Sequence, residues 1–221
     1  MSSIESKIAA LATTGDLPQR LAEALRAGHR GENARERMSP QLSFGRHAGP
    51  APSTARAAAV ILLLFRRDGR WHLPLTERPM TLAHHAGQIS LPGGALDAGE
   101  STSAAAIREL SEELGVNSSV ELLGQLADCY VFASDYLITP WVAWTKFEPT
   151  WRPHVHEVQD VIELPLETLL DDGAIGSVTI ERGPLVFHAP CLKVGRARVW
   201  GATSTILSEL SGVLDYLLEN S

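Results

Sequence analysis

The chain has 221 residues, 44% hydrophobic and 20% charged, with a formal net charge of −7, enough for one well-filled core in a single large domain or in a domain with an extension. That negative balance excludes tight binding to long nucleic acid through its phosphates, which needs a basic surface to displace counterions, but leaves room for a small anionic ligand held by local arginines. The longest apolar run, residues 57–65, falls far short of the roughly 20 residues of a membrane-spanning helix, and the polar start MSSIESK has no secretory pattern, so no membrane is expected and cytoplasm is the expected compartment.

Ser2 with Glu5 resembles a capping box, and after TTGD the residues Leu17, Leu21 and Leu25 share one helical face up to Gly28. Residues 29–56 are polar, carry three prolines and hold no sustained period, which predicts a connector wrapping the domain. Residues 1–56 are therefore expected to be a helical N-terminal extension with its connector, and residues 57–221 the main domain. Three uses of the extension are open: packing on the domain, covering its site, or pairing two chains into a homodimer.

The segments AAAVILLLF and RRDGRWHLPLTER read as two strands joined at Asp68-Gly69, a dipeptide suited to a hairpin, with Trp71, Leu73 and Leu75 alternating. Further strands are expected over residues 120–126, 137–147 and 157–164, with a hairpin around Glu181-Arg182-Gly183. Ile206, Leu210, Val213 and Leu217 recur at helical spacing and predict a terminal amphipathic helix. Strands surrounding two helices make a mixed α/β domain. Cys129 and Cys191 have neither metal-type spacing nor the number of a disulfide scaffold and are expected as packed thiols.

The second helix is ESTSAAAIRELSEELGV, with a Ser/Thr-rich start and Gly115 placed to close it. At 100° per residue, Ile107, Leu110 and Leu114 fall on one stripe while Glu109, Glu112 and Glu113 fall on another. For stability alone the acids are badly placed: negative charge near a helix C-terminus opposes the macrodipole, and Glu109 with Glu113 is a like-charged i,i+4 pair, each costing a few tenths of a kcal/mol. A divalent cation reverses both penalties, and carboxylate oxygens suit Mg²⁺ or Mn²⁺. Arg108 is spaced to pair with Glu112.

A bare Glu-rich helix is most often a solvated acidic face, but the context here is specific. Upstream, LPGGALDAGES forms a loop in which Pro92, Gly93, Gly94 and Gly99 let backbone approach a ligand. Gly94, five residues, Glu100, seven residues, then Arg108-Glu109-Leu110, one residue, Glu112-Glu113, one residue and Gly115-Val116 match the Nudix box at every defined position. Seven such identities arise by chance on the order of 10⁻⁸ per start position.

The chain thus resembles the Nudix hydrolases, which implies an α/β/α sandwich with a mixed sheet and hydrolysis of a nucleoside diphosphate linked to another group. By that resemblance Glu109, Glu112 and Glu113 are the catalytic residues and metal ligands, joined by the carbonyl of Gly93 or Gly94. Glu100 and Arg108, with Gly94, then orient the loop and helix. Metal-bound water attacking phosphorus fits such a set, because the cation also meets the charge that builds on the leaving phosphate.

Residues 74–94, PLTERPMTLAHHAGQISLPGG, resemble the signature of the coenzyme A pyrophosphatase branch at Leu75, Thr76, Arg78, Gly87, Pro92, Gly93 and Gly94, and His85 with Gln88 fits its HxGQ form. Pro74, Pro79, Ala83 and Leu91 depart from it, Ala83 in place of an arginine that offers bidentate phosphate contacts. The resemblance implies a small CoA-like nucleotide as substrate, contacted by Arg78, His85 and Gln88. The alternatives are another nucleoside diphosphate such as ADP-ribose or NADH, or a Nudix-fold binding module without catalysis, against which the three intact glutamates speak.

HEVQDVIELPLETLLDD and VWGATSTIL also resemble this branch. Glu157 is a candidate distant base or metal ligand, with an exposed charge at a strand start as its plain alternative. His84 and His85 are an unspaced pair, better suited to structural hydrogen bonding than to metal, and His154 and His156 alternate as on a strand. Arg66, Arg67 and Arg70 flank the first hairpin, where a solvated cation is the ordinary use. Trp141, Trp144 and Trp151 are expected mainly as packing aromatics.

Overall fold

The apolar run becomes the middle of a sheet. In the computed structural model, which describes residues 6, 7, 9–11, 14–39, 51–81, 87–116, 119–182 and 185–220, strand β1 (Arg56–Arg67) turns at Asp68 and Gly69 into β2 (Arg70–Glu77) with Phe65 opposite His72. Asp68 and Gly69 have φ of 51° and 76°. Two successive left-handed residues are what a two-residue hairpin needs, and Asp-Gly tolerates them.

β2 also pairs with β3 (Ile89–Ser90) and, antiparallel, with β8 (Asp160–Pro165). β1 pairs antiparallel with β4 (Gly93–Ala95) and parallel with β7 (Tyr136–Thr145). β7 carries β5 (Val120–Gln125) and β6 (Cys129–Val131), both antiparallel. The parallel β1–β7 ladder makes this eight-stranded sheet mixed. A separate antiparallel sheet holds β9 (Ile175–Arg182), β10 (Leu185–Val194) and β11 (Ala197–Trp200).

Period-two alternation sends successive residues of β1 to opposite faces. Ala59, Ile61 and Leu63 pack with Ala105, Ala106, Leu110 and Leu114 of a helix that spans Thr102–Leu114. Leu62 and Leu64 pack with Ile206, Leu210 and Leu214 of the last helix, Ala202–Glu219. Numbered in chain order, these are α2 and α3; α1 (Leu17–Arg26) precedes them and buries Leu17, Leu21 and Leu25 in the cluster shared with α3. Helix, sheet and helix stack as the predicted α/β/α sandwich.

After α1, a 3₁₀ turn over Glu32–Arg37 is pressed onto α3. A Cβ on Gly31 would stand 1.8 Å from the Glu209 carbonyl oxygen, and one on Gly212 would stand 2.9 Å from Ala34 Cβ. Ser208 Oγ donates to Ala34 O, and Ser204 Oγ donates to Met38 O at 3.0 Å.

Four expectations are corrected. The strand expected from residue 157 starts at Asp160, because the N–H groups of Glu157 and Val158 both donate to His154 O and close a turn. His154 and His156 lie in that turn with ring centroids 5.6 Å apart, not on a strand. Gly93–Ala95, read as loop, is a strand beside Ala58, Ala59 and Val60. Ile107 is 38% exposed and leaves the packing stripe, which runs through Ala106, Leu110 and Leu114. The Ser2–Glu5 capping box lies outside the described residues, as does Gly183, although Arg182 opposite Leu185 closes the expected hairpin.

Candidate functional site

α2 is fixed at both ends. Ser101 Oγ accepts from the Ala104 N–H at 3.2 Å, and Gly115, left-handed with φ 69°, donates its N–H to Ser111 O at 2.9 Å. The carbonyls of Glu113 and Leu114 accept from the N–H groups of His154 and Arg152, both at 2.9 Å. The loop that carries Glu157 is thereby tied to the end of the acidic helix.

Arg108 organises one side of the helix. Its Nε and Nη2 donate to the two oxygens of Glu100, each at 3.0 Å, Nη2 also to Ala95 O, and Nη1 to Glu109 and Glu112, each at 2.9 Å. The predicted Arg108–Glu112 pair is therefore present, within a larger network. The Arg108 hydrogen bonds and the Asp97 N–H hold the Glu100 carboxyl below its ordinary range. In return Glu100, foremost, raises the Arg108 guanidinium, which stays charged.

Glu113 does not share an exposed acidic face with its neighbours. It is 6% exposed, while the Glu112 side chain is 56% exposed. The rotation from Ala106 to Glu113 is about 20° short of two full turns, so Glu113 sits mid-stripe with the buried alanines. Burial, then the charges of Glu109 and Glu157, push its carboxyl up to about 8, partly offset by Arg78 and the Gly93 N–H. Glu109 is raised as well, by burial first.

The adjoining glycines are closely approached. Gly93 has φ +153°, and a Cβ there would lie 2.3 Å from Ala59 O and 2.6 Å from Val60 Cα. A Cβ on Gly94 would lie 2.3 Å from Glu109 Oε1. The loop backbone and the Glu109 carboxylate therefore share a space that admits a further carbon only if the carboxylate moves.

Among the described residues no three acidic, imidazole or thiol groups converge as a closed metal site; Arg108 draws Glu109 and Glu112 toward itself. The donor chemistry nevertheless fits a hard divalent cation. Glu113 Oε2 is buried with no hydrogen-bond partner among the described residues, an expensive state for a carboxyl oxygen that a cation would relieve.

Beside the glycines opens a cavity of about 690 Å³. Arg78, Gln88, Leu91, Gly93 and Gly94 line it. Arg78 N donates to Gln88 O at 3.0 Å and Gly87 N to Arg78 O at 3.1 Å, so a backbone bridge holds the two predicted substrate contacts together. Arg78 Nε is buried without a partner among the described residues. His84, His85 and Ala83 lie outside those residues.

The remaining candidates take ordinary places. Trp141, Trp144 and Trp151 each donate the indole N–H to a side-chain oxygen, of Thr102, Glu121 and Glu163. Arg67 binds Glu148 and Glu163, and Arg70 binds Glu167. Both cysteines are buried and free. Sequence reasoning missed Arg35 and Thr205, which reach the same cavity from the 3₁₀ turn and from α3; no local pattern marks either. Among the described residues, no helix is long and apolar enough to cross a membrane.

Residues 55–180 match the NUDIX domain family. The chain is similar to Nudix hydrolase 3 of Caenorhabditis elegans, 31% identical over 176 residues that cover 72% of this chain and 73% of that protein. It is also similar to NudL of Salmonella paratyphi B, described as an uncharacterized Nudix hydrolase, 34% identical over 158 residues covering 71% and 81%. Among solved structures, a MutT/nudix family protein from Enterococcus faecalis shares the fold with a TM-score of 0.50 and 19% identity, over 83% of this chain and 73% of that one.

Proposed function

The chain belongs to the Nudix hydrolases, which act on phosphoric anhydrides and generally use divalent cations, and on that premise we propose that it cleaves coenzyme A or a CoA derivative into 3′,5′-ADP and a 4′-phosphopantetheine product. Residues 57–221 are the hydrolase domain in this reading and residues 1–56 its extension. One observation carries it: a single cavity gathers Arg78 and Gln88, the signature contacts, with Gly93 and Gly94, against which the Glu109 carboxylate rests.

Glu109, Glu112, Glu113 and the Gly93 carbonyl would hold Mg²⁺ or Mn²⁺. When bound, the cation supplies positive charge to the anhydride oxygens and lowers the pKa of the attacking water. The protein's own contribution is placement. Arg108 and Glu100 lock the loop to the helix, the glycines admit the diphosphate close to the main chain, and Arg78 offers a cation to its oxygens. Water attacks one phosphorus, the bond to the bridging oxygen breaks, and that oxygen leaves on the other phosphate.

The substrate experiment is turnover of CoA, ADP-ribose and NADH by purified protein with Mg²⁺ or Mn²⁺. CoA is expected to be cleaved fastest; brisk ADP-ribose turnover without CoA turnover would overturn the reading.

A second expectation concerns protons. With the Glu113 carboxyl pushed up to about 8, the group is protonated near neutral pH and must ionise to bind a cation. Mn²⁺ binding near pH 7 should therefore release about one proton, measurable by calorimetry in buffers of different ionisation heat. Affinity should rise with pH until about 8 and then level. Glu113→Gln should abolish the release.

A further inference from the structure

The lining of the cavity carries two cations, Arg78 and Arg35, and no carboxylate among the described residues, in a chain whose net charge is −7. Arg78 stands at the end near Gly93 and Glu113. Arg35 enters from the 3₁₀ turn clamped to α3. A substrate with only an anhydride needs one cationic end; two suggest a second anionic group.

Arg35 is held in a way that leaves one nitrogen over. Its Nε and Nη2 both bind Glu209 Oε1, and Nη2 donates to Asp128 O at 3.0 Å. Nη1 has no hydrogen bond among the described residues. The Glu209 side chain is fully buried and the Arg35 side chain is 34% exposed, so the counterion is hidden while Arg35 lines the cavity. A guanidinium fixed at Nε and Nη2 is preorganised to offer the two N–H groups of Nη1 to a phosphate oxygen. The hydroxyls of Ser39 and Thr205, 3.2 Å apart, line the same wall. They now give their protons to Arg35 O and Gly201 O, and rotation about the Cβ–O bond would turn either to a ligand.

We propose that Arg35 is a specificity-determining residue that binds a phosphomonoester of the nucleotide, the 3′-phosphate of a CoA-type substrate, with Glu209 as its positioning residue. The inference rests on the CoA reading and sharpens it, because ADP-ribose and NADH carry no such group. Tyr130 lines the same cavity and offers a surface for the adenine.

The test is binding of adenosine 3′,5′-bisphosphate, adenosine 2′,5′-bisphosphate and 5′-AMP by calorimetry, alongside CoA hydrolysis. The unaltered protein should bind the 3′,5′-bisphosphate about 10- to 100-fold tighter than 5′-AMP, the range of one charged hydrogen-bonded contact. Arg35→Lys keeps a cation opposite Glu209 but has no second nitrogen to offer, and should cut the preference below about 3-fold. The pair Arg35→Gln with Glu209→Gln, which buries no charge, should do the same; melting curves identify which variants are folded. Absence of the preference in the unaltered protein, or its survival in a folded variant, overturns the inference. Equal or tighter binding of the 2′,5′ isomer overturns the 3′ assignment. CoA turnover without the preference leaves the substrate reading standing and removes Arg35 from it; the preference without CoA turnover does the reverse.

Discussion

Glu113→Gln is expected to lower kcat on the order of 10³-fold while leaving the fold intact near neutral pH. The loss corresponds to about 4 kcal/mol of transition-state stabilisation, within the range for a charge-stabilising metal site. The fold should survive because the buried carboxyl, pushed up to about 8, is neutral at pH 7, and a glutamine amide is a near-isosteric neutral replacement. Stability versus pH separates the two roles. A carboxyl whose folded pKa lies above its unfolded value near 4.5 keeps its proton better in the folded state, so in chelator the stability of the unaltered protein falls as pH rises from about 4.5 toward 8. Glu209, raised to about 7 by burial against the pull of Arg35, adds to that fall. Glu113→Gln should flatten its share of the slope, read from urea unfolding at several pH values. Near-normal turnover in the variant would refute the metal role of Glu113.

Alanine at the two adjacent glycines should give opposite outcomes. Gly93→Ala places a carbon 2.3 Å from one main-chain atom and 2.6 Å from another, on a backbone at φ +153°. Neither neighbour can give way without moving β1, so a loss of about 3 kcal/mol or more is expected. Gly94→Ala meets only the Glu109 carboxylate, at 2.3 Å, which can swing aside. Stability should then change by less than about 1 kcal/mol, while a carboxylate displaced by an ångström lowers kcat/KM by about 10²-fold. Equal effects of the two substitutions on unfolding would contradict this division.

Much of this arrangement was legible in the residues. Asp68-Gly69 carried its hairpin because two left-handed positions leave few other choices, and the spacing from Gly94 to Gly115 singled out the acidic helix. The burial of Glu113 was not legible. A helical wheel sets Glu113 beside Ala106, but two small alanines do not announce a buried stripe, and only the packed helix shows that Ala105 and Ala106 are buried and Glu113 with them. β4 escaped notice because Gly-Gly-Ala has no side-chain alternation to read. The Arg35–Glu209 pair spans 174 residues, and no local period reports a contact at that range.

The parallel ladder of β1 and β7 has a consequence for how the chain reaches this state. Each pair in it, from Arg56 with Tyr136 to Leu64 with Trp144, is 80 residues apart, so loop-closure entropy is spent before the middle of the sheet gains its partner. β2 can meet β1 early through its tight turn, whereas the acidic helix and both glycines lie inside the large loop that β7 must close. High contact order of this kind places folding in the slow range of small domains, milliseconds to seconds. Until β7 docks, the apolar run of β1 lacks its parallel neighbour, and a chain held at that stage offers an open strand edge to other chains.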